Sequence, residues 1–256
     1  MNHDRCLICR VERQEPLTFR TFLSSEHQLG FCASCREKLE RIDWRHSCRQ
    51  CGRDLQDLAP VFVHDHRCHD CLQWANSERN GLYGRNYAVY NYNPFMKEVM
   101  TAFKFRGDAV IASGFEKEVK QVMKWINRPN LHPRFWKKSP TCTYDFLVPV
   151  PLSVERLNER GFNQAEVLAE QLGQPIVSAL VRKKNEQKQS KKDRNERIRS
   201  RNTPFSIKND MLHQISGKKI LLVDDIYTTG ATIRLAAEAL SPAHPARIDS
   251  FTLIHG

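Results

Sequence analysis

The amino-acid sequence predicts an α/β protein with a parallel sheet, preceded by a small cysteine-rich module. Eight of the nine cysteines lie before residue 72, in four closely spaced pairs. After them, short continuous apolar runs alternate with segments of helical periodicity, a pattern typical of parallel sheets covered on both faces. The two parts meet near Asn80 and Gly81, which are both good turn residues. We therefore expect a metal-binding domain over residues 1–80 and an α/β domain over residues 81–256.

Three segments of the second part repeat apolar residues at positions i, i+3, i+4 and i+7, which predicts three amphipathic helices. Asn93 and Pro94 precede the first of them as an N-cap and first-turn pair. The repeating positions are Met96, Val99, Met100 and Phe103, then Val119, Val122, Met123 and Ile126, and finally Ala165, Leu168, Ala169 and Leu172.

Four apolar runs predict buried strands. They extend from Phe146 to Val150, from Ile176 to Val181, from Lys219 to Val223 and from Ile248 to Ile254. Ligands of parallel sheets bind beyond the carboxyl ends of the strands. The residues that follow each run are therefore the first candidates for a site.

The basic excess of the chain is confined to its α/β part. The chain holds 40 Lys and Arg against 29 Asp and Glu, a net charge of +11, while residues 1–80 hold 12 of each. Residues 182–201 contain ten basic and three acidic residues, a local charge of +7. Such a field attracts polyphosphates or a nucleic-acid backbone. The plainer interpretation of this basic segment is a solvated loop.

The cellular compartment follows from two features of the sequence. No apolar run is long enough to span a bilayer, and the first residues contain no apolar stretch typical of a secretory signal. We therefore expect a cytoplasmic protein without membrane insertion. In that reducing compartment, paired cysteines are metal ligands rather than disulfides.

The four C-x-x-C pairs predict two structural zinc ions. Zinc takes four ligands in a tetrahedron, and each C-x-x-C turn presents two thiolates to one metal. Gly52, directly after the third pair, supplies the permissive backbone that a tight metal-binding turn requires. The predicted ligands are Cys6, Cys9, Cys32, Cys35, Cys48, Cys51, Cys68 and Cys71.

Spacing alone leaves open how the pairs share their metals. Two successive zinc ribbons are simpler than an interleaved cross-brace. His64, His66 and His69 lie beside the last pair and are either surface residues or replacements for one thiolate. Since the module is formally neutral, we favour a structural role that presents a surface to a partner over nucleic-acid binding.

The most informative stretch runs from Lys219 to Thr232. It consists of a buried strand ending in Asp224 and Asp225, a hydroxyl-rich turn and an apolar helix. The turn from Thr228 to Thr232 presents backbone N–H groups at a helix N-terminus, where the unpaired donors and the helix dipole favour a phosphate. The two carboxylates are placed to accept hydrogen bonds from vicinal hydroxyls of a sugar. The predicted ligand is therefore a sugar phosphate.

The segment from Val223 to Thr232 resembles the phosphoribosyl pyrophosphate motif of type I phosphoribosyltransferases. The resemblance implies their fold, with the acid pair on the ribose hydroxyls, the turn on the 5′-phosphate and magnesium bridging the pyrophosphate. In several purine-salvage members the third residue after the acid pair is an Asp that assists at the base. This chain has Thr228 at that position.

Further segments extend the resemblance over nearly the whole chain. The runs from Phe103 to Asp108, from Leu147 to Leu152 and from Arg156 to Gln164, behind a double cysteine module, are similar to the ComF family of competence proteins. The basic segment fits the position of a loop that closes over pyrophosphate. The substrate-binding residues that the resemblance implies are Asp224, Asp225, Thr228, Thr229, Gly230, Ala231, Thr232, Leu152, Arg156, Arg160, Lys104, Arg106 and Arg197.

Membership of that family implies a role in DNA uptake during natural transformation, beside a competence helicase and a DNA-processing protein. One hypothesis is a phosphoribosyltransferase in which a nitrogen nucleophile attacks C1 of phosphoribosyl pyrophosphate. The other is a non-catalytic adaptor whose basic loop binds single-stranded DNA and whose zinc module docks the helicase. Phe205 is the only aromatic residue near that loop, so a base-stacking platform is poorly supported.

Overall fold

The amino-terminal module is built around its cysteine pairs. In the computed structural model, which describes residues 5–13, 30–76, 81, 83–105, 108–126, 144–183 and 203–256, two short α-helices carry the second and fourth pairs. Cys32 and Cys68 occupy the N-cap positions of these helices, and Cys35 and Cys71 lie in their first turns. The elements of the module are helix α1 (Ala33–Glu37), strands β1 (Val63–His64) and β2 (Arg67–Cys68), which pair antiparallel, and helix α2 (His69–Ala75).

The α/β part supplies the remaining elements. Its strands are β3 (Asn86–Asn91), β4 (Phe146–Pro149), β5 (Leu180–Arg182), β6 (Phe205–Ile207), β7 (Lys219–Tyr227) and β8 (Arg247–His255). Its α-helices are α3 (Pro94–Phe105), α4 (Glu116–Ile126), α5 (Val154–Arg160), α6 (Gln164–Leu172), α7 (Leu212–Ile215) and α8 (Ala231–Leu240). Short 3-10 helices occupy Trp44–His46, Pro60–Phe62, Ala109–Phe115, Asn209–Met211 and Ser241–Ala243.

Parallel strands form the central sheet, in the order β3-β8-β7-β4. Alternate residues of β7 face the two sides of this sheet. Leu221 and Val223 pack in one apolar cluster with α3, α4 and α6, whereas Ile220 and Leu222 pack in a second cluster with α8. A central strand covered on both faces must be apolar throughout, and these four residues are fully buried. The predicted α/β fold with a parallel sheet is confirmed.

The three predicted helices correspond to α3, α4 and α6, and the apolar residues of their repeats face the core. Asn93 caps α3 as expected, because its Oδ1 accepts a hydrogen bond of 2.7 Å from the Met96 N–H. Three of the predicted strands correspond to β4, β7 and β8. The run from Ile176 to Val181 instead contacts Leu147 of β4 through one parallel bridge and then departs to form β5, which pairs antiparallel with β6.

Strand β3 was not predicted, because it begins and ends with asparagine. The buried Asn86 side chain donates to the Cys51 carbonyl oxygen and to Thr252 Oγ1, both at 3.0 Å, and accepts from Ser250 Oγ at 2.7 Å. Partners on β8 and on the cysteine module therefore satisfy a polar group that the local pattern places outside a buried strand.

The cysteine module packs directly on the α/β part. Residues 40–42 extend along the free edge of β3, where the Ile42 N–H donates to the Val89 carbonyl oxygen at 2.9 Å. Phe31 of the module packs edge to face on Phe115, just before α4, with ring centres 4.8 Å apart. Arg36 of the module forms an ion pair of 3.0 Å with the buried Glu118 of α4. The apolar clusters contain residues of both parts. The division at residues 80 and 81 stays a prediction.

Across the described ranges, no helix combines the length and the apolar character that are needed to cross a bilayer.

Candidate functional site

The acid pair lies near the carboxyl end of β7, beside the end of β4. Val223 and Pro149 are register partners, and the Val150 N–H donates to the Val223 carbonyl oxygen at 2.9 Å. The loop that follows β4 therefore starts next to Asp224. Asn163, at the N-cap of α6, donates from Nδ2 to the Val150 carbonyl oxygen at 3.2 Å and so links this helix to the same edge.

Residues 228–232, here called the 228–232 turn, connect β7 to α8. Gly230 has φ +77°, and a Cβ built on it would lie 2.1 Å from the Tyr227 hydroxyl oxygen. Glycine is therefore required both for the backbone conformation and for the close approach. Thr229 Oγ1 accepts the Ala231 N–H at 3.3 Å, while Thr228 and Thr232 are exposed. The turn thus presents the side chains of Thr228 and Thr232 to solvent beside the N-terminus of a ten-residue helix, an arrangement that suits an anion.

The two carboxylates differ in their surroundings. Asp225 forms an ion pair with Lys104 in the last turn of α3. Asp224 accepts the Asp225 N–H at 2.9 Å through Oδ1. Burial, and after it the negative charge of Asp225, raises the pKa of the Asp224 carboxyl to about 8. The pair therefore shares less than two full negative charges near neutral pH, until a ligand or cation favours full ionisation.

Helix α5, which follows the loop after β4, carries two of the predicted arginines. Ser153 caps this helix by accepting the Arg156 N–H at 3.3 Å, and Leu152 lies half-buried just before it. The Arg156 side chain is exposed, whereas Arg160 donates to Gln164 Oε1 at 2.8 Å. The structure thus leaves the Arg156 side chain exposed in the first turn of α5 and ties Arg160 to the start of α6.

Arg182, the last residue of β5, is a further candidate site residue that was not predicted from the sequence. Its guanidinium lies 5.5 Å from the Phe205 ring centre and within electrostatic range of Arg156 and Asp224. Burial, followed by the neighbouring charge of Arg156, lowers the pKa of Arg182. The signal available was its position: it is the first residue of the basic segment and ends an apolar run.

Two predicted site residues lie outside the described residues. They are Arg106 and Arg197, and residues 184–201 of the basic segment lie outside the described residues as well.

The eight cysteines among the described residues form two groups of four. The first cluster is Cys6, Cys9, Cys32 and Cys35, the second cluster is Cys48, Cys51, Cys68 and Cys71, and the sulfur atoms within each lie within 4.8 Å of one another. The successive pairing is therefore confirmed over the cross-brace. His64, His66 and His69 belong to neither cluster in the searched residues.

The sulfur geometry fits a tetrahedral ion. The Cys48–Cys71 and Cys51–Cys68 sulfurs are 3.7 and 3.6 Å apart, and those of Cys9 and Cys32 are 3.7 Å apart. A zinc tetrahedron with bonds of about 2.3 Å separates its sulfurs by roughly 3.8 Å. In both clusters a backbone N–H also donates to a sulfur, from Cys32 to Cys6 at 3.3 Å and from Cys68 to Cys48 at 3.4 Å. Both clusters thus suit thiolates held around a metal.

Comparison with known proteins agrees with this combination of elements. Residues 157–256 match the family model of the phosphoribosyl transferase domain. The chain is 40% identical to Competence protein ComFC of Bacillus subtilis over 251 residues, which cover 97% of this chain and 94% of that protein. It is 31% identical to Competence protein ComFC of Streptococcus pneumoniae, over 98% of this chain and 99% of that protein. DNA utilization protein YhgH of Escherichia coli K12 is 26% identical over 82% of this chain and 84% of its own length.

Proposed function

We propose that this chain, which belongs to the ComFC family of competence proteins, binds phosphoribosyl pyrophosphate with magnesium and acts in DNA uptake. The observation that carries the proposal is the joining of the acid pair, the 228–232 turn and the loop after β4 at one edge of the sheet. Ligands of parallel sheets bind at that edge. The phosphoribosyl transferase domain match, which includes the turn, supports the same ligand.

Each group at this edge has a role in the proposed complex. Asp224 and Asp225 accept hydrogen bonds from the ribose hydroxyls, and the 228–232 turn donates to the 5′-phosphate. The backbone around Leu152, with Arg156 and Arg182, faces the pyrophosphate, whose charge these cations offset. Magnesium, bound with the ligand, supplies further neutralisation of the pyrophosphate.

The two cysteine clusters are the proposed sites of two structural zinc ions. Four thiolates per ion, at the separations described above, match the preference of zinc for sulfur ligands in a closed tetrahedron. A module with such short helices depends on metal binding for the free energy that its own core lacks. Thiolate ligands and the proposed role both agree with a cytoplasmic location.

Calorimetric titration of magnesium and phosphoribosyl pyrophosphate into the full chain tests the proposal. Wild type should bind saturably, and the double variant Asp224→Asn/Asp225→Asn should bind at least roughly a hundredfold more weakly, because two charge-assisted hydrogen bonds are lost. Asp210→Asn changes an exposed acid and serves as the control. Absence of binding by folded, zinc-loaded wild type would refute the proposed ligand.

A second function is favoured by the exposed Thr228, which stands where purine-salvage members have an assisting acid. In this alternative the chain is a non-catalytic adaptor for single-stranded DNA and the competence helicase, with the DNA-processing protein as a further partner. A screen of nitrogen nucleophiles for pyrophosphate release separates the alternatives. Release with any acceptor supports the transferase. Loss of transformation in a Cys6→Ser strain with normal protein levels, without any turnover, supports the adaptor, because among the described residues the first cluster does not contact the 228–232 turn.

A further inference from the structure

We propose that the second cluster holds the 228–232 turn in its phosphate-binding conformation, with Trp74 and Arg234 as the positioning residues. The inference rests on the proposed function of that turn. It assigns to one metal centre a direct part in ligand binding and predicts that the first cluster has no equivalent part.

A hydrogen bond joins the second cluster's helix to the turn. Trp74 lies on α2, three residues after Cys71, and is 3% exposed. Its Nε1 donates to the Thr229 carbonyl oxygen at 2.7 Å across 155 residues of sequence. Helix α2 has only seven residues, so on its own it is too short to be stable in water. Because Cys68 and Cys71 anchor its first turn, a metal in the second cluster fixes the position of the indole.

Arg234 forms the second link. Its buried guanidinium lies 4.4 Å from the Trp74 ring centre and 5.1 Å from the Tyr83 ring centre. Nη1 donates to the Tyr227 hydroxyl at 2.7 Å. A buried cation next to aromatic rings is held in place, because moving away from the rings would leave its charge buried without a compensating partner.

The 228–232 turn packs directly on the side chains of Tyr227 and Arg234. A Cβ at Gly230 would lie 2.1 Å from the Tyr227 hydroxyl oxygen and 2.5 Å from Arg234 Nη1. The Tyr227 ring is in turn stacked on His255 at 5.2 Å. The left-handed backbone at Gly230 therefore packs on Tyr227 and Arg234, and Arg234 packs in turn on Trp74 of helix α2. Displacement of α2 would therefore remove the donor to the Thr229 carbonyl oxygen and the indole ring on which the Arg234 guanidinium stacks.

The first cluster has a different neighbourhood. Its Phe31 packs on Phe115, and its Arg36 pairs with Glu118 of α4. Trp44, which lies between the clusters, makes a hydrogen bond much like that of Trp74, since its Nε1 donates to the Ala88 carbonyl oxygen at 2.8 Å. That acceptor belongs to β3, at the sheet edge remote in strand order from β4. Trp44 therefore offers a matched control.

The test compares Trp74→Phe with Trp44→Phe in the full, zinc-loaded chain. Each variant keeps an aromatic ring and removes one N–H donor. Metal content is checked by emission spectroscopy, and binding of phosphoribosyl pyrophosphate with magnesium is measured by calorimetry. Trp74→Phe should raise the Kd roughly fivefold, the value of one net hydrogen bond, with the zinc content unchanged. Trp44→Phe should leave the Kd at the wild-type value.

A second measurement does not depend on the ligand. Amide hydrogen exchange of the ligand-free protein should accelerate roughly fivefold in the 228–232 turn of Trp74→Phe, and should not change there in Trp44→Phe. If wild type fails to bind the ligand, the proposed function is wrong, but the exchange comparison still decides the coupling. Equal Kd values and equal exchange in the two variants would overturn the inference.

Arg234→Lys repeats the test outside the metal-binding helix. Lysine keeps the charge but loses the planar group that stacks on Trp74 and donates to Tyr227. We expect a larger loss of binding than in Trp74→Phe, of at least roughly tenfold, at full zinc content. This variant carries the test if Trp74→Phe itself loses metal, and wild-type binding by Arg234→Lys would contradict the proposal.

Discussion

Lys104 forms an ion pair with Asp225, and thereby connects the end of α3 to the acid pair on β7. The two side chains are only 18% and 14% exposed, so each depends on the other for compensation of its charge. The pair places a cation within the proposed ligand site before any ligand arrives. In the proposed complex, Asp225 turns toward a ribose hydroxyl and Lys104 is available to the phosphates.

Removal of Lys104 should therefore destabilise the protein through Asp225. In Lys104→Ala the carboxylate stays buried without its partner, which we expect to lower the free energy of unfolding by about 1–3 kcal/mol. The double variant Lys104→Ala/Asp225→Asn should recover most of that loss. Urea denaturation of the two single variants and the double variant measures the coupling, and additive effects would contradict the ion pair's role.

The stability of the ligand-free protein should depend on Asp224 between about pH 4 and pH 8. Burial and the neighbouring Asp225 raise the pKa of Asp224 from 3.8 to about 8, so the folded protein keeps a proton that the unfolded chain releases. The free energy of unfolding contributed by this group therefore falls as pH rises through that window. In scanning calorimetry, the Tm of Asp224→Asn minus the Tm of wild type should be more positive at pH 9 than at pH 5. The exposed Asp210→Asn should give no such difference.

Alanine at Gly230 should be far more costly than alanine at another left-handed glycine. Gly217 has φ +67° and open space around a built Cβ, so Gly217→Ala measures backbone strain alone, about 1 kcal/mol. Gly230→Ala adds a clash with Tyr227 and Arg234, which we expect to cost about 1–3 kcal/mol more. Urea denaturation compares the two variants. Equal losses of stability would mean that Tyr227 and Arg234 move aside at little energetic cost, which would contradict the prediction.

The two metal centres should differ in their effect on ligand binding. Cys6→Ser and Cys48→Ser should each reduce the zinc content from about two ions per chain to about one, because a closed tetrahedral site needs all four thiolates. Only Cys48→Ser should weaken binding of phosphoribosyl pyrophosphate, by at least roughly tenfold, because only the second cluster anchors Trp74, which holds both Thr229 and Arg234. Metal analysis and calorimetry on the same preparations check both statements. Loss of binding in both variants would point to general unfolding, which circular dichroism detects.

The local features of this protein could be predicted from neighbouring residues in the chain. The C-x-x-C spacing predicted the eight cysteines of the two clusters as candidate metal ligands, because two thiolates three residues apart can reach one ion whatever surrounds them. Apolar periodicity located α3, α4, α6 and the central strands, since both faces of a parallel sheet must be apolar. The acid pair and the 228–232 turn were recognisable for the same reason, because a strand, a turn and a helix N-terminus are contiguous in the chain.

Which of these features contact one another depends on the packing of elements that are distant in the chain. Lys104 and Asp225 come together because α3 packs on the sheet, and Trp74 reaches Thr229 across 155 residues. Strand β3 becomes a strand because β8 and the Cys51 carbonyl satisfy Asn86. Arg182 comes within electrostatic range of Arg156 and Asp224, which lie on other elements. Such contacts depend on strand order and on the docking of the cysteine module. Strand order and module docking depend on residues far apart in the chain, so local sequence patterns do not predict these contacts.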